Sequence, residues 1–250
     1  MYSEQFSEDQ DRAIDRALLA GIDRILLPNI DLESVEAMHD LCKRYPKNCY
    51  PMMGLHPCSV KEDFKKVLTE LHANYSSRKY IAVGEIGIDL YWDTSTLAWQ
   101  EEAFRMQIEW AKEMDLPIVI HARDSFQEIF NILDEVNDEK LRGVFHCFTG
   151  DLAQAEHVLS YGGFYMGLGG VLTYKNSGLK ETLKHIPIEK VFLETDAPYL
   201  APIPFRGKRN ESSYLIEIAI ACAEVYGLPL QKIAEITSSN AVSLFRLDVH

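Results

Sequence analysis

The sequence predicts an α/β fold of the TIM-type (β/α) barrel class, as a single hydrolase domain over residues 1–250. Three observations predict it. Helix and strand signals alternate from end to end, without a linker, a low-complexity tract or a break in composition. Four apolar runs, at residues 80–84, 117–120, 143–145 and 191–193, lead directly into Glu85, His121, His146 and Glu194-Thr195-Asp196. Such a run reads as a strand covered on both faces, so its polar terminus lies at the rim. From Glu85 through His121 and His146 to Asp196 the intervals are 36, 25 and 50 residues, close to one, one and two strand-plus-helix units. Finally, no Gly-rich phosphate loop marks a switch point, as an open doubly wound sheet would usually show. Ligand residues spread over consecutive strand ends favour a closed barrel, whose sites gather at the C-terminal rim.

Taken in order, Ser7 reads as the cap of a helix through Ala20, with Gln10 three residues on and Gly21 as its stop. Residues 22–27 read as a strand, 32–44 as a helix and 49–55 as a strand ending at Gly54-Leu55-His56-Pro57. Beyond Glu85, a long amphipathic helix over 97–114 carries Phe104, Ile108 and Ala111 on one stripe. Asp151 is the expected N-cap of a helix bearing Leu152, Ala155, Val158 and Leu159. Residues 164–168 form a short strand, and Gly167 to Gly170 offer a surface free of side chains where a substrate backbone can lie. Helices over 214–226, 230–236 and 240–245 close the chain. Seven strands result, near residues 25, 52, 82, 119, 144, 166 and 192, and the repeating βα order means a parallel sheet. The chain opens on Met1-Tyr2-Ser3-Glu4-Gln5-Phe6, already heading into a helix, so the first strand of a barrel is expected to be missing.

With 250 residues, 47% of them apolar, the chain can bury a large core. Nothing approaches the length of apolar run that spans a membrane, and the acidic N-terminus lacks the pattern of a secretory signal. Cys42, Cys49, Cys58, Cys147 and Cys222 are odd in number and lack CxxC spacing, which reads as reduced thiols in a cytoplasmic protein. Protein partners leave no signal. A net charge of −13 makes the surface a poor generic binder of nucleic acid. Metal ions and local bases can still supply a positive field for phosphate esters. The local candidate is Pro204-Phe205-Arg206-Gly207-Lys208-Arg209-Asn210, with Arg206 and Lys208 as substrate contacts; the alternative is a solvated basic turn.

Taken singly, His121 and His146 would more often be structural, and Glu85 a solvated loop carboxylate. Ending apolar strands together with Asp196, they read as ligands of a divalent cation. The glycines flanking Glu85 allow close approach, and Glu commonly bridges two metals. Asp196 is a ligand or a general base. His56 is balanced between holding its own loop and positioning substrate. Arg123 alternates back to the face of His121 and can grip phosphate, unless it pairs with a nearby carboxylate. Mixed imidazole and carboxylate ligands suit zinc, manganese or iron and tolerate magnesium, and the lack of a cysteine argues against a structural zinc. The chemistry is metal-assisted hydrolysis. Composition leaves phosphodiester and amide substrates both open.

The motifs resemble those of the TatD family of metal-dependent deoxyribonucleases, a branch of the amidohydrolase-like barrels. The likeness runs through Gly54-Leu55-His56-Pro57, Gly84-Glu85-Ile86-Gly87-Ile88-Asp89, His121-Ala122-Arg123-Asp124 and His146-Cys147-Phe148-Thr149-Gly150. It continues through Glu194-Thr195-Asp196-Ala197-Pro198-Tyr199-Leu200 and Arg206-Gly207-Lys208-Arg209-Asn210, so it covers nearly the whole chain. The resemblance implies that Glu85 is shared by two metals, that His121 and His146 hold one, and that Asp196 holds the other. It implies 3′-to-5′ exonuclease or general DNase activity on DNA, with one or two divalent ions (magnesium, manganese or zinc). Family members open with a strand ending in a metal-binding His-x-His pair, whereas no histidine precedes His39 here. A missing central strand forfeits about 1.5–3 kcal/mol per buried side chain, against a typical domain stability of about 5–15 kcal/mol. A late start site or a shortened chain is therefore expected in preference to a natural seven-stranded enzyme. Two further readings compete: hydrolysis of a small cyclic amide or ester, and a catalytically impaired scaffold. The first usually brings a carbamylated lysine at a strand end, and no strand here ends in Lys.

Overall fold

The computed structural model describes residues 1–247. In chain order its first elements are α1 (Gln10–Leu19), β1 (Ile25–Leu27), α2 (Ser34–Arg44), β2 (Cys49–Pro51), α3 (Phe64–Ala73), β3 (Val83–Asp89), α4 (Leu97–Met114) and β4 (Ile118–Arg123). Then come α5 (Phe126–Val136), β5 (Gly143–Phe145), α6 (Leu152–Ser160), β6 (Phe164–Leu168), α7 (Leu179–Leu183), β7 (Val191–Leu193), α8 (Leu215–Tyr226) and α9 (Leu230–Phe245). All seven expected strands are present among the described residues. No single helix among them is long and apolar enough to cross a membrane. All five cysteines are free thiols, and burial pushes those of Cys42 and Cys49 up to about 11 and about 12.

Two compact units make up the chain: residues 26–146, and residues 1–25 with 147–250. In the first, β1 pairs with β2, and β3, β4 and β5 lie parallel in sequence order. Backbone bonds past the ends of β1 and β2 tie Asn29 and Met53 to Gly84. Every residue of β3 is buried, the carboxylates Glu85 and Asp89 included. Leu41, Met53, Leu68, Leu71, Phe104, Ile120 and Phe145 fill the core around these strands, each contributing about 1.5–3 kcal/mol on burial. In the second unit, β6 and β7 are parallel, in the register Met166 to Val191 through Leu168 to Leu193. Its core includes Phe6, Ile14, Phe148, Phe164, Leu168, Ile218 and Cys222.

Several elements depart from the sequence reading. β1 is shorter than residues 22–27, and Pro28, with no N–H to give, follows its end. The α3, α5 and α7 helices were not read from the sequence, and α9 is continuous where two helices were expected. Inside α9 the Asn240 amide donates to the Ile188 and Val191 carbonyls (2.9 and 2.7 Å), so the residue expected to open a new helix lies within one and serves packing. Asp151 caps α6 as expected, in a full capping box with Gln154. Ser7 does not cap α1; it closes a 3-10 turn over Glu4–Phe6, and α1 begins after Asp9.

The Asp9 carboxylate is taken by two guanidiniums rather than by helix N–H groups. Arg209 Nη1 lies 2.6 Å and Arg16 Nη2 3.0 Å from it, and Arg16 also meets the buried Glu211 at 2.6 Å. The second unit thereby locks α1 to the segment after β7. Hydrogen bonds from Arg209 and Arg16 hold the Asp9 carboxyl well below its usual range. Burial pushes Glu211 up, but Arg16 and Ser213 outweigh it and leave the group lowered. Both folded-state values lie below the unfolded ones of about 4, so this stability is full above that pH and is lost as the pH falls through the depressed values. Glu211→Gln is expected to cost about 1–3 kcal/mol at pH 7. In urea titrations the gap from the parent stays constant above about pH 5 and shrinks below about pH 4.

Candidate metal centre

The site in the first unit follows from strand periodicity. On β3, alternate residues Glu85, Gly87 and Asp89 share one face. Across the ladder β4 sets His121 opposite Gly87 and Arg123 opposite Asp89. Gly87 stands at φ +137°, and a Cβ built there would collide with the His121 carbonyl, so only glycine lets the two strands meet here. The imidazole of His121 then bridges the two carboxylates of β3. Its Nδ1 lies 2.8 Å from Glu85 Oε1, and its Nε2 lies 2.8 Å from Asp89 Oδ2.

Two further imidazoles reach the same Glu85 oxygen. His146, one residue past β5, donates its backbone N–H to Ile120 O (2.9 Å), and its Nε2 stands 3.7 Å from Glu85 Oε1. His56, whose backbone N–H donates to Ile30 O, brings Nε2 to 3.5 Å from Glu85 Oε1 and 3.2 Å from His121 Nδ1. His56, Glu85 and His121 each offer an atom to a cluster within 4.8 Å, the spacing a single cation requires.

Ring nitrogens sort these histidines by role. The Cys58 backbone N–H donates to His56 Nδ1 (3.1 Å), so neutral His56 carries its proton on Nε2 and points a donor into the cluster. His121 differs: Asp89 accepts its Nε2–H and Glu85 its Nδ1–H, and Nδ1 is the atom that would turn a lone pair to a cation on losing that proton. Distance alone admits His56 as a metal ligand, but its tautomer argues for a donor to a bound oxygen. The set that fits a divalent cation is Glu85 Oε1, His121 Nδ1 and His146 Nε2, a donor mixture suited to zinc, manganese or magnesium.

The electrostatics agree. Burial works against charge on Glu85, yet His146 and the hydrogen bonds of His121 and His56 hold it well below the ordinary carboxylate range. Asp89 is likewise opposed by burial but brought down to about 2 by His121 and by the Tyr91 and Trp92 N–H groups. Burial lowers His121, and its bonds to Asp89 and Glu85 more than reverse this, holding it up to about 9. A proton therefore occupies the position a cation would take, and the two compete.

Buried glutamines of α4 fix the backbone beneath the cluster. Gln100 accepts the Asp89 N–H on Oε1 (2.8 Å) and returns Nε2–H to the Asp89 carbonyl (3.1 Å). Gln107 accepts the Leu55 N–H (2.7 Å), one residue before His56. Among the described residues Arg123 pairs with no carboxylate; its guanidinium lies 3.7 Å over the Tyr91 ring and remains exposed. Sequence reasoning gave no role to Asp89, although its place two and four residues from Gly87 and Glu85 on one strand face was a readable signal.

The remaining predicted residues belong to the second unit. Asp196 follows β7 at φ +54°, a left-handed conformation that Asp tolerates. Its loop is held by the fully buried Asn210, whose amide donates to the Thr195 and Tyr199 carbonyls. Arg206 stacks on Tyr174 (4.5 Å) and Lys208 lies 6.0 Å over Phe205, both exposed. The glycine surface expected at 167–170 is filled by the chain itself. The Glu194 carboxylate lies where a Gly167 Cβ would stand and accepts the Cys147 N–H, and the Leu200 carbonyl occupies the space at Gly170. Small residues are needed there for internal packing.

Parallel βα units with an imidazole–carboxylate cluster at their strand ends define a metal-dependent hydrolase of the α/β, TIM-type barrel class. The chain belongs to the family described as TatD related DNase, which matches residues 1–246. It is 37% identical over 247 residues to an uncharacterized metal-dependent hydrolase, YabD, of Bacillus subtilis, covering 98% of this chain and 96% of the relative. A Salmonella typhimurium protein named 3′-5′ ssDNA/RNA exonuclease TatD is 34% identical over 251 residues, covering 98% and 96% of the two chains. The crystal structure of YjjV, a TatD homolog from Escherichia coli K12, superposes with a TM-score of 0.91 at 29% identity, covering 98% of this chain and 95% of that one.

Gly87→Ala tests the close approach of β3 and β4. The substitution is expected to destabilise the chain by about 2–3 kcal/mol in urea unfolding and to broaden the His121 imidazole resonances, while Gly162→Ala, where nothing lies within 4 Å, costs less.

Proposed function

We infer that this chain is a metal-dependent phosphodiesterase that removes nucleotides from the 3′ end of DNA. The observation that carries the metal-dependent part is the convergence of three imidazoles on Glu85 Oε1, with His121 Nε2 tied to Asp89 and His56 Nδ1 to the Cys58 N–H. The nucleic-acid substrate is supported by the name of the Salmonella relative and by the family description.

When bound, a divalent cation of the magnesium, manganese or zinc type acidifies water and polarises the scissile phosphoryl oxygen. Glu85, His121 and His146 hold it. Asp89 positions His121 by fixing its tautomer and ring plane. His56 donates its Nε2–H to a substrate oxygen, and the exposed Arg123 meets the phosphate. Asp196 serves as the base that takes the proton of the attacking water, or as ligand to a second cation. That role, and phosphate contacts by Arg206 and Lys208, rest on the sequence pattern. The reading takes the chain as one hydrolase domain, 1–250.

Calorimetry with manganese tests the sorting of histidines. His121→Ala and Asp89→Asn are expected to weaken metal binding, the latter by about 10–100-fold, while His56→Ala leaves it nearly unchanged. Equal losses in all three variants would overturn the donor role of His56.

Activity tests the substrate. With added magnesium or manganese, single-stranded DNA is expected to release mononucleotides from its 3′ end, and EDTA to stop the release. Glu85→Ala should lower kcat/KM at least about 1,000-fold, and Asp196→Ala comparably. Turnover of a dihydropyrimidine or lactone above that of any phosphodiester would replace this reading with C–N or ester hydrolysis.

A further inference from the structure

The loop after β3 exposes two aromatic rings beside an exposed cation. Tyr91 is 55% and Trp92 72% exposed, with ring centroids 4.9 Å apart and planes at 89°. The Arg123 guanidinium covers Tyr91 at 3.7 Å and lies 5.5 Å from the Trp92 ring. Large aromatics left this open forgo the stabilisation of burial, and nothing in the cation cluster requires them.

Their anchorage is specific. The backbone N–H groups of Tyr91 and Trp92 donate to Asp89 Oδ1 (3.0 and 3.3 Å), and Asp89 Oδ2 holds His121 Nε2 (2.8 Å). One carboxylate thus fixes the central imidazole on one side and the aromatic loop on the other. A group lying on Trp92 is held at a set place relative to the cluster.

We propose that Trp92, with Tyr91 and Arg123, forms a stacking platform for one unpaired base of a single-stranded nucleic acid, Arg123 meeting the phosphate of the same nucleotide. This rests on the nucleic-acid reading above and assigns the residues that hold one base and its phosphate beside the cluster. A chain of net charge −13 gains little from long-range attraction to a polyanion. Base stacking on an aromatic face does not depend on net charge and tolerates any sequence. A paired base has both faces covered by its neighbours, so an open Trp92 face selects for unpaired strands. Tyr91 holds the guanidinium in a fixed plane, which lowers the cost of ordering Arg123 on a phosphate.

The probe is a fluorescein-labelled, phosphorothioate-linked (dT)6, which resists hydrolysis, titrated by anisotropy in magnesium against an abasic hexamer of equal charge. Trp92→Ala is expected to weaken (dT)6 about tenfold, with Trp92→Phe within about twofold of the parent, and neither variant should alter abasic binding. Quenching of tryptophan emission by (dT)6 should be lost in Trp92→Phe, leaving Trp99 and Trp110 as silent references. Equal affinity of Trp92→Ala and the parent for (dT)6, or no preference of the parent for (dT)6 over the abasic strand, overturns the platform. Hydrolysis of unmodified DNA is scored separately. Absence of hydrolysis in the parent removes the nuclease reading, whereas hydrolysis with an unaffected Trp92→Ala removes only the platform.

Discussion

The interaction on which the site depends is His121 held between two carboxylates of a single strand. Glu85 and Asp89 lie on one face of β3, buried, and left alone two anions there would be costly. Gly87 between them carries no side chain, and the register of β4 places His121 opposite it. One imidazole therefore serves both carboxylates, Nδ1 to Glu85 and Nε2 to Asp89. The ring satisfies both as an imidazolium; a divalent cation held here would take the place of the Nδ1 proton while Asp89 kept its hold on Nε2.

That arrangement propagates outward within the same unit. Asp89 is fixed through its backbone by Gln100 and through its other oxygen by the loop at Tyr91 and Trp92. Gln107, two turns further along α4, fixes the backbone before His56. A single long helix thus sets the height of two loops that bear site residues. The Cys58 N–H completes the pattern by deciding which nitrogen of His56 carries the proton.

In the second unit the same economy of polar groups is used for cohesion. Arg16, Arg209, Asp9 and Glu211 form one network between α1 and the segment after β7, and Asn210 within that segment ties down the Asp196 loop. Of the basic cluster at 206–209, Arg209 is thereby structural, while Arg206 and Lys208 stay exposed. A run of like charges in a sequence does not say which members face inward, because partners such as Asp9 lie 200 residues away.

The sequence by itself determined the seven strands, the βα order and the places where polar residues interrupt apolar runs, because burial on two faces leaves a local signature in composition and period. It also marked Glu85, His121 and His146 through that same signature. Only the tertiary structure decided what each side chain does. The choice of ring nitrogen, the role of Asp89, the filling of Gly167 and Gly170 by Glu194 and Leu200, and the continuity of α9 through Asn240 each turn on specific contacts to other residues. Most of those partners are distant in the chain. Periodicity records whether a residue is covered, not which atom covers it, and hydrogen bonding is settled atom by atom once the strands are in register.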